Sequence, residues 1–199
     1  MIPDDRILTF WPLTILIGPE GGRGLAEYEA ELLILRGELR GKIVLDLGCG
    51  CTEKFAREIH QAGINCQVIS VSPDYIFRKF RNEIINRPDW TKKSIAAQAE
   101  HLPFANKSFD LILALHSVLR YSTDIEGLYW LPEINRVLKP GGRALLAPVM
   151  LSTTEPNDDF GWVSFSARKA IISFKALSLG LKVSFKGDKE QILELAKPT

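Results

Sequence analysis

Apolar positions along the chain keep two periods, and the two take turns. Leu25, Tyr28, Leu32, Leu35 and Leu39 recur every three or four residues until Gly41, which predicts a helix over 24–40. The run Ile43-Val44-Leu45-Asp46-Leu47 predicts a buried strand, and Gly48-Cys49-Gly50 a turn. Phe55, Ala56, Ile59 and Ala62 form the next helical face, ended by Gly63. Residues 66–71 read as a second strand. Ser72, Pro73 and Asp74 then supply a cap, a first-turn proline and a dipole-favoured acid for a helix carrying Ile76, Phe77, Phe80, Ile84 and Ile85. Strands are predicted over 94–99, 109–115 and 143–150, with a helix over 129–138 and a turn at Lys139-Pro140-Gly141-Gly142. A polar loop over 152–161 leads to a helix over 164–179, with Ala167, Ala170, Ile171, Phe174 and Leu177 on one side. Residues 181–186 and 191–197 suit an antiparallel pair around Gly187-Asp188. About seven strands interleaved with five or six helices predict an α/β fold with a mostly parallel sheet.

Composition narrows this picture. At 199 residues the chain makes about one domain. No repeat or internal boundary divides it, so 1–199 is read as a single domain, with 1–40 as an N-terminal lid or helical segment and 41–199 as the core. Lys plus Arg number 25 and Asp plus Glu 24, a net charge of +1. That provides no global field for nucleic acid or anionic lipid, although a local basic patch stays open. Cys49, Cys51 and Cys66 are too few for a disulfide framework and point to a cytoplasmic setting. They and His60, His101 and His116 lack metal-ligand spacing, so no metal is expected. The apolar run over 7–17 is shorter than the about 20 residues of a membrane helix and follows Asp4 and Asp5. It reads as a docked segment or lid, with no membrane partner.

In open α/β sheets, ligands bind at the carboxyl ends of the strands, near the point where strand order reverses. The most informative of these ends is Asp46-Leu47-Gly48-Cys49-Gly50, where glycine lets backbone approach a ligand. A nicotinamide-type fingerprint would put glycine at Glu53 and an acid at Ser70. A P-loop and a nucleophile elbow are both absent.

Val44-Leu45-Asp46-Leu47-Gly48-Cys49-Gly50 resembles the first motif of class I S-adenosylmethionine-dependent methyltransferases. Ala99-Glu100-His101-Leu102-Pro103-Phe104, Lys107-Ser108-Phe109-Asp110-Leu111-Ile112 and Glu133 through Gly142 resemble the small-molecule, or type 11, branch. The resemblance runs from about Gly41 to the C-terminus. It implies a Rossmann-like, seven-stranded, mostly parallel sheet whose last strand is antiparallel, with helices on both faces. It also implies S-adenosylmethionine as cofactor and a small-molecule acceptor. Asp46 would face the cofactor's amino-acid end, with the backbone of Gly48, Cys49 and Gly50 beneath it. Ser70 stands at the ribose position and Val71 against the adenine. Gln98, with Ala99 and Glu100, stands near the adenine amine. Leu115 and His116 lie over the reactive methyl.

The chain departs from the family pattern at Thr52, Ser70 and Gln98, where a glycine and two acids are usual. A carboxylate accepts two hydroxyl bonds and Ser70 cannot, which predicts an affinity lower by about ten- to a hundredfold. His116 is the general-base candidate, with a shape or hydrogen-bonding role as the alternative. Tyr28 is a candidate cover for the cofactor, or helix packing. Arg120 and Tyr121 are candidates for substrate contact, and Phe10, Trp11 and Trp162 for an apolar pocket or core. The lack of an N-P-P-[YF] stretch and the neutral charge speak against a nucleic-acid substrate. Two functions follow from these residues. One is a small-molecule methyltransferase. The other is a non-catalytic scaffold or regulatory protein with a degraded cofactor site.

Overall fold

The computed structural model describes residues 22–88, 90–121, 128–149 and 165–199. In chain order these residues form α1 (Leu25–Leu32), α2 (Arg36–Leu39), β1 (Ile43–Leu47), α3 (Lys54–Gln61), β2 (Gln67–Val71) and α4 (Arg78–Ile85). Then come β3 (Ser94–Ile95), β4 (Phe109–Leu115), α5 (Val118–Tyr121), α6 (Trp130–Val137), β5 (Leu138–Ala147), α7 (Phe165–Ser178), β6 (Lys182–Lys186) and β7 (Ile192–Ala196). The strands make a seven-stranded sheet in the order β3-β2-β1-β4-β5-β7-β6. β1 runs parallel to both β2 and β4, β4 parallel to β5, and β7 antiparallel to both β5 and β6. Strand order therefore reverses between β1 and β4.

Period-two alternation sorts the strand side chains onto two faces. Ile112 and Ala114 of β4 join Leu45 and Leu47 of β1 in a core with Trp130, Ile134, Ile172 and Ala176 of α6 and α7. Leu111, Leu113 and Leu115 join Val44 in a second core with Tyr28, Leu32, Phe55 and Ile59 of α1 and α3. Helices thus cover both faces, as the sequence resemblance implies. Asp46 shares the face of Val44, which aims it at α1.

Several elements differ from the sequence reading. The helix expected over 24–40 breaks at Leu33, whose φ is 53°. The break buries Ile34 to 1% exposure and turns Leu35 out to 70%, the reverse of what one continuous helix would do. The helix expected after Ser72 splits into a 3-10 turn over Pro73–Ile76 and α4, with Ser72 Oγ accepting from the Asp74 N–H at 3.2 Å. The third strand keeps two residues. Lys139-Pro140-Gly141-Gly142 lies within β5, where pairing jumps from Phe109–Leu138 to Leu111–Arg143, so the turn residues form a bulge. β5 ends at Ala147, before Pro148, which has no N–H for the ladder. On α7, Ile172 and Ala176 face inward, while Ile171, Phe174 and Leu177 are exposed. The apolar run over 7–17, the loop over 152–161 and Phe10, Trp11 and Trp162 lie outside the described residues. No helix among the described residues is long and apolar enough to cross a membrane.

Ile112 is fully buried at the centre of the sheet. Ile112→Ala is expected to cost about 2–5 kcal/mol, read as a lower urea midpoint with unchanged slope; a loss under about 0.5 kcal/mol would contradict this packing.

Candidate functional site

The turn after β1 is built by close approach. Gly48 has φ +79°, and a Cβ there would lie 2.2 Å from Ser117 Cβ. The Ser117 hydroxyl donates to the Leu47 carbonyl at 2.7 Å, which seats β4's end against the turn. The N–H groups of Gly48 and Cys49 both donate to the Val71 carbonyl, at 2.8 and 3.2 Å, tying the turn to β2. Gly50 has φ +73° and nothing within 4 Å of its Cβ position, so one side of the turn is open. Side-chain-bearing residues avoid such dihedrals.

Asp46 is fully buried. The Tyr28 hydroxyl donates to its Oδ1 at 2.5 Å, and Oδ2 has no partner among the described residues. Tyr28 is held in place by stacking on Phe55, with ring centroids 4.2 Å apart. Burial pushes the Asp46 carboxyl up to about 7; the Tyr28 bond opposes this and the Glu53 carboxylate adds to it. Ser70 sits opposite Asp46 in the β1–β2 register. Its Oγ lies beside the Cys49 thiol but makes no hydrogen bond of normal geometry. The Cys49 thiol contacts the Tyr75 hydroxyl at 3.0 Å, and burial pushes it well above its ordinary value. It is therefore a neutral packing group at pH 7 and not a nucleophile.

His116 closes β4 with φ +50°, and its N–H donates to the Ala147 carbonyl at 2.6 Å. Its Nε2 meets Glu31 Oε2 of α1 at 2.5 Å, while Nδ1 is buried and unpartnered. In a neutral ring the Glu31 bond puts the proton on Nε2 and leaves the Nδ1 lone pair free to accept. Glu53 is a fully buried carboxylate that accepts from the Thr91 N–H, the Thr91 hydroxyl and the Ser94 hydroxyl. Those bonds join the start of α3 to the β3 edge.

The structure thus places Asp46, Gly48, Cys49, Gly50, Ser70, Val71 and His116 at the carboxyl ends of β1, β2 and β4, where open sheets of this kind form their ligand crevice, although the Val71 side chain packs on the opposite face from Asp46, with Leu45 and Leu47. Leu115 is fully buried beneath α1. Gln98 is exposed, and Ala99 and Glu100 are half-buried, on a loop after β3. Arg136 fixes the continuation of that loop by donating to the Leu102 and Phe104 carbonyls at 2.8 and 2.6 Å. The side chains of Arg120 and Tyr121 lie outside the described residues. Glu31 and Glu53 were not foreseen as site residues. Glu31 lies 85 residues from His116, and Glu53 reads locally as a first-turn acid, so nothing in the local sequence signals either contact.

An open sheet reversed at β1/β4, with a glycine turn at the reversal, defines a Rossmann-like fold class. Residues 45–146 match the family described as "Methyltransferase domain", and the chain belongs to that family. It is 32% identical over 128 residues to the sterol 24-C-methyltransferase erg6 of Schizosaccharomyces pombe, covering 63% of this chain and 32% of that protein. It is 35% identical over 120 residues to the ubiquinone/menaquinone biosynthesis C-methyltransferase UbiE of Haemophilus ducreyi, covering 55% of this chain and 42% of that protein. The chain therefore spans less than half the length of these two curated relatives. A SAM dependent methyltransferase from Aquifex aeolicus superimposes with a TM-score of 0.56 at 16% identity, covering 86% of this chain and 91% of that one, and so shares the fold.

The raised Asp46 value has a thermodynamic consequence. The folded protein keeps this proton up to about pH 7, whereas an unfolded aspartate loses it near 3.9. Between those values the unfolded state binds fewer protons, so this group lowers stability as pH rises, by at most about 1.4 kcal/mol per unit. Asp46→Asn is expected to be more stable than the parent at pH 8 and to lose the advantage near pH 4. Urea titrations of both proteins across that range check this; a stability difference independent of pH would contradict it.

Proposed function

We propose that this crevice binds S-adenosylmethionine and that the protein transfers its methyl group to a small-molecule acceptor. One observation carries the reading. Asp46 Oδ2, Ser70 Oγ and His116 Nδ1 are buried, have no hydrogen-bond partner among the described residues, and lie at the carboxyl ends of β1, β2 and β4. A fold does not leave three such atoms unpaired at one place without cost, and a polar ligand there would satisfy them. The donor set fits this cofactor. Asp46 would take an ammonium, the open side of Gly50 would admit the chain that follows, and Ser70 would meet one ribose hydroxyl. The family membership and the sterol and quinone named for the two relatives support the reading.

When bound, the cofactor supplies an electrophilic methyl on a sulfonium sulfur. The chain supplies alignment and proton handling. The backbone of Gly48, Cys49 and Gly50 forms the floor, and Val71 supplies an apolar wall. Gln98, Ala99 and Glu100 border the adenine position. His116 Nδ1 accepts a proton from the acceptor, and Glu31 fixes the ring that does so. α1 acts as the cover, since Tyr28 and Glu31 reach Asp46 and His116 from it. Asp46 and Ser70 are fully buried, and among the described residues α1 covers Asp46 through Tyr28, so ligand entry requires a covering element such as α1 to give way. The free thiols of Cys49, Cys51 and Cys66 suit a reducing, cytoplasmic setting.

A cationic ligand binds ionised Asp46, so its affinity is expected to rise about tenfold per pH unit up to about 7 and level off above. Calorimetric titration with S-adenosylmethionine and S-adenosylhomocysteine tests this, with up to one proton released per site near pH 6.5. Ser70→Asp should tighten binding by about ten- to a hundredfold. The absence of heat with either compound at millimolar concentration would remove the reading, and would favour a scaffold built on the same fold.

A further inference from the structure

The sequence assigns Ile76, Phe77, Phe80, Ile84 and Ile85 to one helix, but of these only Ile84 is buried. Ile76, Phe77 and Ile85 are 69%, 46% and 43% exposed. Single exposed apolar residues are ordinary, whereas contiguous ones mark a contact surface. Ile76, Ile84, Ile85, Tyr75, Trp90 and Arg81 line one open groove of about 340 Å³ at the β3 edge of the sheet. Phe77 stands at the amino end of α4, edge-on to Phe80. Helical geometry puts Phe77, Arg78, Arg81 and Ile85 in one sector roughly 100° wide, with Glu83, the one carboxylate of α4, on the opposite side.

Charge is concentrated on the same segment. Residues 73–93 hold Arg78, Lys79, Arg81, Arg87, Lys92 and Lys93 against Asp74, Glu83 and Asp89, a net +3 in a chain whose total is +1. Asp74 is engaged locally, its carboxylate accepting from the Ser72 hydroxyl at 3.3 Å. This is the local basic patch that the overall composition left open.

We propose that this face docks the protein peripherally on an anionic lipid bilayer. Ile76, Phe77 and Ile85 enter the boundary between headgroups and acyl chains, and Arg78 and Arg81 pair with lipid phosphates. An exposed apolar edge flanked by arginines, with no carboxylate in the sector of α4 that holds Phe77, Arg78, Arg81 and Ile85, is the pattern of an interfacial helix. Each basic side chain near an anionic surface adds attraction, and the aliphatic parts of both arginines remain compatible with the apolar layer. A nucleic acid satisfies the charge but not Ile76 and Ile85, which cannot stack on bases. The helix is short, so docking is weak and reversible and needs both the charges and the apolar groups. The contact revises the expectation of no membrane partner without requiring any segment to span the bilayer. It is independent of what the crevice binds, although Tyr75 forms a wall of the groove and also contacts Cys49 of the glycine turn.

Co-sedimentation of the full chain with vesicles tests the proposal. Phosphatidylcholine mixed with phosphatidylserine should retain the protein, phosphatidylcholine alone should not, and added salt should release it. Arg78→Gln and Arg81→Gln should each weaken binding about fivefold. The pair Phe77→Ser and Ile85→Ser should abolish it while circular dichroism and melting temperature hold, since both side chains are exposed. Equal retention by neutral vesicles, no retention by either kind, or retention unchanged in these variants would overturn the proposal. Displacement from the vesicles by single-stranded RNA at comparable concentration would overturn it in favour of a nucleic-acid surface.

Discussion

A carboxylate withdrawn from water is expensive, and the fold withdraws one at Asp46, where the strand order of the sheet reverses. The cost is only half met inside the chain, because Tyr28 serves one oxygen and leaves the other bare. The surrounding features follow from this. The residue lies on the β1 face that looks at α1. Gly48 must lack a side chain so that Ser117 can close against it. The proton that burial retains is the one a bound cation would displace. Replacing the pair with apolar residues would favour folding, so retaining it makes sense as provision for a ligand.

α1 gives this arrangement a second point of control. Tyr28 and Glu31 are three positions apart and so share one face of the helix, the first reaching β1 and the second β4. One short helix therefore contacts both the candidate binding carboxylate and the candidate base. Its amino end is tied down as well, since the Leu25 N–H donates to Glu58 of α3 at 2.6 Å. A shift of α1 would alter both contacts at once.

The sheet was legible because buried strands carry their own punctuation. Asp46 to Gly50, Phe109 to Leu115 and the closing antiparallel pair all read correctly from local pattern and turn residues. The faces of amphipathic helices were legible on α1 and α3, where Leu25, Tyr28, Leu32, Phe55, Ala56 and Ile59 are buried, but not on α7. On α7 the rhythm of Ile171, Phe174 and Leu177 is as regular as that of Ile172 and Ala176, and only packing against the sheet chooses between them. On α4 the spacing of Ile76, Phe77, Phe80, Ile84 and Ile85 marks a helix without saying which side packs, and of these only Ile84 is buried. The break at Leu33 depends on burying Ile34, a tertiary demand that no propensity announces. Within the site, the turn was visible as a motif, whereas Glu31 and Glu53 act across 85 and 38 residues and have no local signature.

The account stands or falls on the oxygen that Tyr28 leaves bare. The most direct measurement is a crystal structure of the full chain grown with S-adenosylhomocysteine. The account predicts density over Gly48 to Gly50, with the ligand's amino group within hydrogen-bond distance of Asp46 Oδ2 and a ribose hydroxyl at Ser70 Oγ. Crystals grown with excess ligand in which Tyr28 and Tyr75 still close the crevice and Asp46 Oδ2 stays unpaired would contradict it.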